Sequence, residues 1–193
     1  MILIQYSSMY LLPTLNLTLA VCGLALAAMT VALYVDYFLL QGRNLKELIK
    51  EYAWPLVMGV SIGSVALSLL YSEYFGFIPC SLCWLQRIAI YSQALMSVMA
   101  FKLRDHVYFP LYGIGLSVFG LAVAIYQYIE QMIPKEAVGN GVLPCLLDGS
   151  GADCADKVID EFGFVTFPFL TAVTFAFLIV VYLYMRRTYR NGV

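Results

Sequence analysis

Charged residues and histidine are scarce in this sequence, and both shortages exclude classes of function. Lys, Arg, Asp and Glu make up only 12% of 193 residues, and the net charge is -1. Nothing in that balance favours a nucleic-acid partner. The single histidine, His106, excludes a histidine-rich metal site, and no Cys-x-x-Cys-His motif is present for covalent haem attachment. We therefore expect neither a metal centre nor a bound nucleic acid.

Basic residues are also missing from the start of the chain, whereas apolar residues abound. Residues 1–12 contain no Lys or Arg, so we expect no signal peptide there. Overall, 62% of the residues are hydrophobic and the mean hydropathy is +0.84. Stretches of apolar residues long enough to cross about 30 Å of hydrocarbon occur at 13–40, 52–72, 81–103, 107–129 and 162–185. The sequence predicts an all-α integral membrane protein with five spans.

The distribution of basic residues predicts the orientation of these spans. If the helices alternate in direction, eight of the eleven basic residues fall on one side of the membrane. By the positive-inside rule that side is cytoplasmic, so the N-terminus lies outside and the C-terminus inside. The opposite side keeps Lys135 and Lys157, with Arg87 near its edge. The eight cytoplasmic residues are Arg43, Lys46, Lys50, Lys102, Arg104, Arg186, Arg187 and Arg190.

A Cys-x-x-Cys motif stands where the third span begins. Pro79 suits a helix start, so Cys80 and Cys83 lie in or just before the first turn. The helix dipole and free backbone N–H groups favour a thiolate there, and a thiolate attacks disulfides or adds to a quinone ring. A structural disulfide is the alternative. The loop it would close is very small and constrains the unfolded chain little, which favours a redox pair.

Arg87 follows the motif on the same helical face, about 6 Å deeper into the span. One interpretation is that its side chain simply reaches the outer lipid headgroups. The other is that it donates hydrogen bonds to a quinone carbonyl and stabilises the reduced, anionic ring. Gln86, its neighbour, would position the same headgroup.

A second cysteine pair, Cys145 and Cys154, lies in a glycine-rich polar loop of about residues 132–161. It is either a structural bridge or a mobile relay that takes electrons from an external protein and passes them to the first pair. Spacing alone leaves both open. A Cys-x₂-Cys with a Cys-x₈-Cys is an unlikely pattern for structural zinc. Cys22, in the first span, is interpreted as a small apolar membrane residue.

The string from Pro79 to Ile88 resembles the Pro-Cys-x-Leu-Cys-x-x-[Glu/Gln]-Arg signature of the DsbB/BdbC family of membrane thiol–quinone oxidoreductases. The segment Gly163–Pro168 is similar to the one that re-enters the membrane at that family's last helix. The vicinal cysteines come before the looped pair, which is the order of this family and the reverse of that in vitamin K epoxide reductases. The resemblance covers about residues 55–185.

The resemblance implies a four-helix transmembrane bundle over residues 52–185 that binds ubiquinone or menaquinone. It implies that Cys83 faces the quinone and that Arg87 polarises it. Cys80 would exchange with Cys154, and Cys145 would form the mixed disulfide with a soluble thioredoxin-fold oxidase of the DsbA type. Electrons would pass from that partner through the loop pair and the vicinal pair to the membrane quinone pool, which drives disulfide bond formation.

The resemblance implies a multi-pass protein of the bacterial cytoplasmic (inner) membrane, and the distribution of basic residues places both cysteine pairs on the outer face. Residues 1–51 then form an additional N-terminal transmembrane helix and a cytoplasmic connector, which four-span members lack, and residues 186–193 form a basic cytoplasmic tail. Two other functions remain open from sequence: a non-catalytic membrane scaffold braced by disulfides, and a thiol reductase that runs in the opposite direction.

Overall fold

The computed structural model describes residues 2–40, 45–132, 154 and 157–190, and these are almost entirely helical. Five long helices follow one another, and the second ends in one turn of π-helix at Leu70–Tyr74. Within the described ranges there is no strand, only an isolated bridge between Glu161 and Val165. The prediction of an all-α protein is confirmed. The helices are α1 (Ile2–Phe38), α2 (Lys46–Leu69), α3 (Ser81–Leu103), α4 (Phe109–Met132) and α5 (Phe167–Arg190).

Four of these helices are long and apolar enough to cross a membrane, and the chain is a multi-pass membrane protein as predicted. The third helix, α3, has sufficient length at 23 residues but carries Gln86, Arg87 and Gln93. It packs between α2 and α4, where these polar side chains find partners within the bundle instead of facing hydrocarbon. The four apolar segments are Leu11–Phe38, Glu51–Tyr74, Phe109–Met132 and Phe167–Tyr189.

The helices match the predicted spans in number and order but differ at their ends. The last one begins at Phe167 rather than at 162 because Phe162 and Gly163 have positive φ angles of 56° and 76°. That left-handed turn brings Glu161 and Val165 together before the chain enters the helix. Conversely, α1 and α2 begin earlier than predicted, since a helix continues outside hydrocarbon as long as its backbone remains hydrogen-bonded.

The last helix, α5, is the centre of the bundle and contacts α1, α2 and α4. Glycines of α4 let it approach closely: a Cβ on Gly120 would lie 2.2 Å from the Phe175 ring, and one on Gly113 would lie 2.5 Å from that of Tyr182. Small residues at helix contacts are the usual means of tight packing in membranes. The fully buried side chains of α5 include Phe175, Phe177, Leu178, Val180, Val181 and Tyr182.

The N-terminal helix is docked along α5. Near the C-terminal ends of both helices, Tyr184 of α5 donates a 2.7 Å hydrogen bond to the buried carboxylate of Asp36 of α1. Further along, the Tyr34 hydroxyl donates to the Ala176 carbonyl at 3.2 Å. The additional helix predicted from the sequence is therefore an integral part of the described bundle.

Candidate functional site

The N-terminus of α3 positions the vicinal cysteines. Cys80 is the N-cap residue, with extended backbone (φ -71°, ψ 172°), and its sulfur accepts a 3.4 Å hydrogen bond from the Cys83 N–H. The helix proper starts at Ser81, so Cys83 lies in the first turn, as the sequence predicted. At this position the unpaired N–H groups and the positive end of the helix dipole favour negative charge on sulfur.

Both thiols are free, and their sulfurs lie 2.8 Å apart. Cys80 is buried, and its hydrogen bond with Cys83, reinforced by burial, raises the pKa of the Cys80 thiol. Cys80 therefore stays protonated while its neighbour receives the stabilisation of the helix start. The pair is close enough to form a disulfide with a small movement, because an S–S bond is about 2.05 Å long.

Gln127, from α4, joins the thiols to the rest of the site. Its side-chain amide nitrogen lies 3.4 Å from the sulfurs of both Cys80 and Cys83 and 3.4 Å from the Cys154 carbonyl. Its amide oxygen accepts a 2.7 Å hydrogen bond from Gln86. We did not identify Gln127 from the sequence, although a glutamine inside an apolar span is itself a signal of function or of a buried polar contact.

Cys154 lies directly beside the vicinal pair. Its sulfur is 3.9 Å from the Ser81 hydroxyl, and its carbonyl also accepts a 3.3 Å hydrogen bond from Gln131 of α4. The residue is 2% exposed and disulfide-bonded, and it packs in one cluster with Cys80 and Cys83. Cys145, the fourth predicted cysteine, lies outside the described residues. The structure thus brings together three of the four predicted cysteines.

Arg87 links α3 to the end of α2. One guanidinium nitrogen donates a 3.0 Å hydrogen bond to the Ser68 carbonyl, and the guanidinium carbon lies 5.2 Å from the centre of the Trp84 ring. A guanidinium has further N–H donors beyond this bond. The side chain is therefore held by the protein at the edge of the site with donors left for a ligand.

A cavity of about 400 Å³ opens beside the thiols, within the size range of ligand pockets. Most of the residues that line it are apolar. Gly59 and Gly63 of α2 border it, and a Cβ at either position would have no atom within 4 Å, so these glycines leave open space. The shape and lining suit a ligand with one polar end and an apolar remainder. The thiol, amide and guanidinium groups that α3 and α4 contribute to its lining are those of Cys83, Gln86, Arg87, Gln127 and Gln131, and hydroxyl residues of α2, its π-helical turn and α5 also border it: Ser64, Ser68, Tyr71, Ser72, Thr171 and Thr174.

Comparison with known proteins assigns the chain to a family. Residues 50–185 match the family described as disulfide bond formation protein DsbB. Disulfide bond formation protein C of Bacillus subtilis is 33% identical over 129 residues, which cover 66% of this chain and 85% of that protein. A probable disulfide formation protein of Coxiella burnetii is 37% identical over 131 residues, covering 66% and 80%.

A third relative, a probable disulfide formation protein of Oceanobacillus iheyensis, is 34% identical over 128 residues, which cover 64% of this chain and 81% of the relative. No solved structure matches the chain. The matched region contains the vicinal cysteines, the cavity-lining arginine and the helices that hold them. The protein belongs to the DsbB family and is a membrane disulfide oxidoreductase.

Proposed function

We propose that the protein reoxidises an extracytoplasmic thioredoxin-fold dithiol oxidase, of the DsbA type, and passes the electrons to membrane quinone. One observation carries the proposal: Cys154 is buried against Cys80 and Cys83, and Cys83 in turn borders a cavity with a polar end and apolar walls. A route for thiol–disulfide exchange and a place for a lipid-soluble acceptor thus adjoin at one end of the bundle.

The first exchange takes place at the loop pair. A thiolate of the reduced partner attacks the Cys145–Cys154 disulfide at Cys145, which forms a mixed disulfide and releases the Cys154 thiolate. The partner's second thiol then displaces Cys145. The partner leaves with its disulfide restored, and the loop pair holds the two electrons.

The second exchange takes place at the N-terminus of α3. The Cys154 thiolate attacks Cys80 of an oxidised vicinal pair, and Cys83 leaves as a thiolate, which the first turn of the helix favours. Cys145 then displaces Cys80 from Cys154 and restores the loop disulfide. Two contacts support this order. Cys154 lies beside Ser81, and the amide of Gln127 contacts both the Cys80 sulfur and the Cys154 carbonyl.

The cavity residues fit a quinone as the acceptor of these electrons. When bound, a quinone takes up two electrons and two protons and so returns the vicinal dithiol to a disulfide. Arg87 and Gln86 would hold its polar end, and the open space at Gly59 and Gly63 admits a flat ring or an apolar chain. Arg87 places a fixed positive charge at the polar end of this cavity, where it attracts negative charge on sulfur or ligand.

The charge distribution supports an outer location for the thiol end. The C-terminal ends of α3 and α5 lie at the opposite end of the bundle and carry Lys102, Arg104, Arg186 and Arg187. By the positive-inside rule, that basic end faces the cytoplasm. The cysteines then face the oxidising compartment, where disulfides persist.

A reconstituted assay tests the proposal. Purified protein is mixed with a reduced DsbA-type protein and decylubiquinone, and the quinone absorbance is followed. We expect one quinone to be reduced for each partner dithiol oxidised. Failure to consume quinone would contradict the proposal. In a second assay that starts from quinol and the oxidised partner, net reduction of the partner would favour the reductase. Cysteines that react in neither assay would favour the scaffold.

A further inference from the structure

One face of α1 borders the cavity beside the thiols. The four residues on this face recur at the spacing i, i+3, i+4 and i+7, which places them in one stripe along the helix. Three of the four are apolar or lack a side chain, and the fourth is a thiol. All of α1 lies before residue 50, where the match to the family begins. The residues are Leu19, Cys22, Gly23 and Leu26.

This face is fixed in position by contacts with α5 and with the end of α2. A Cβ at Gly23 would lie 2.1 Å from the end of the Leu170 side chain, so α1 and α5 are in close contact at this glycine. Asn16 accepts a hydrogen bond from Tyr71, another residue of the cavity wall. Together with the hydrogen bond from Tyr34 to α5, these contacts hold this face of α1 against the cavity.

The cavity is a slot bordered by α1 and α2, and residues of α3, α4 and α5 also line it. On the α2 side, Gly59 and Gly63 contribute no side chain, and on the α1 side Cys22 is small and exposed at the slot. Among the side chains of α1 that the structure describes, none contributes an amide, hydroxyl or charged group to this lining. The amide and guanidinium groups of the site come from α3 and α4, and its hydroxyl groups come from α2, the π-helical turn and α5, so what α1 offers is an apolar wall.

We propose that α1 completes the acceptor site by forming the wall that holds the apolar side chain of a quinone. The inference rests on the proposed function, because the ligand is the quinone invoked there. It assigns to a helix outside the family match a part in selecting the acceptor, with Cys22 as the smallest side chain of the wall. The acceptor site of this protein therefore includes more than the bundle of residues 50–185.

A matched pair of substitutions on α1 tests the proposal. Cys22→Phe places a large ring in the slot. Val21→Phe places the same ring at the neighbouring position, whose valine is 53% exposed and does not line the cavity. Binding of decylubiquinone and of a tail-less ubiquinone is measured by quenching of tryptophan fluorescence, which Trp84 beside Arg87 reports. We expect Cys22→Phe to weaken binding of decylubiquinone by at least about tenfold, as overpacking does in cores, and to weaken the tail-less quinone less.

Val21→Phe should bind both quinones as the unmodified protein does. A second measurement avoids substitution: photolysis with an azido-substituted ubiquinone should label peptides that contain residues 19–26. Equal binding by the two Phe variants, or labels confined to residues 50–185 while the protein still reduces quinone, would overturn the role of α1 and leave the proposed function intact. Absence of both quinone binding and quinone reduction in the unmodified protein would overturn the two together.

Discussion

Gln93 of α3 and Gln127 of α4 are two of the buried glutamines of the bundle, and they differ in what surrounds them. Gln93 is 0% exposed, and its oxygen accepts hydrogen bonds from the hydroxyls of Ser117 at 2.9 Å and Tyr182 at 3.1 Å. Gln127 is 3% exposed, and its amide contacts the sulfurs of Cys80 and Cys83. Both amides satisfy the same need for partners in an apolar bundle.

The difference lies in the chemistry of the partners. The hydroxyls of Ser117 and Tyr182 do not change their redox state. Their hydrogen bonds with Gln93 therefore have a structural role, which is to hold α3, α4 and α5 together. The sulfurs around Gln127 change between thiol and disulfide, and Gln127 also borders the cavity, which Gln93 does not. A polar residue in a membrane helix therefore indicates a buried contact, and the partners decide whether that contact is structural or reactive.

The largest effect is expected from removing the reactive partners themselves. Cys80→Ala and Cys83→Ala should each abolish oxidation of the reduced partner by quinone, because neither variant can form the vicinal disulfide. Turnover is measured with decylubiquinone in detergent. Leu85→Ala, on an exposed position of the same helix, serves as control and should retain turnover. Turnover by either cysteine variant at the rate of this control would contradict the assignment.

The next largest effect should come from the charge at the edge of the cavity. Arg87→Ala removes donors and a positive charge, and we expect the KM for quinone to rise by about 10- to 100-fold, the range for hydrogen bonds to charged groups. Exchange with the partner in the absence of quinone should persist. The adjacent Ile88→Ala, which alters an exposed side chain, should leave the KM unchanged. An unaltered KM in Arg87→Ala would remove this residue from the acceptor site.

The sequence predicted the spans and the thiol motif because both depend on local pattern. Hydrophobic runs identify membrane helices, and Pro79 before Cys80 indicates a helix start. The same local reasoning missed Gln127, since its role arises from contacts with residues more than forty positions away in the chain. It likewise gave Cys22 no role, because the wall that Cys22 forms exists only after α1 packs on α5.

The pairing of Cys145 with a partner protein, the quinone and the orientation in the membrane stay predictions, and the reconstituted assay above tests the quinone as acceptor. The contact of Cys154 with the α3 N-terminus was expected from the resemblance alone, because the loop spacing allowed a brace as well as a relay. The structure adds the packing of Cys154 with Cys80 and Cys83.

A substitution at the reactive glutamine sharpens the comparison. Gln127→Leu removes the amide that spans the vicinal sulfurs and the Cys154 carbonyl, so we expect internal exchange to slow by about tenfold, the upper range of a neutral hydrogen bond. Single-turnover quenched-flow measurements without quinone report this step. Ile125→Leu, at an exposed position of α4, is the control. If Gln127→Leu transferred electrons at the control rate, the amide would be structural, like that of Gln93.

The smallest effect on activity is expected at Gln93 itself. Gln93→Leu leaves the hydroxyls of Ser117 and Tyr182 without their shared acceptor, which should lower the free energy of unfolding by about 1 kcal/mol while turnover per folded molecule is unchanged. Replacing all three polar groups, as Gln93→Leu with Ser117→Ala and Tyr182→Phe, should recover part of that stability, because no buried group then lacks a partner. The free energy of unfolding of both variants is measured in mixed micelles. A loss of quinone-dependent turnover in folded Gln93→Leu would break the comparison, since the two glutamines would then share a reactive role.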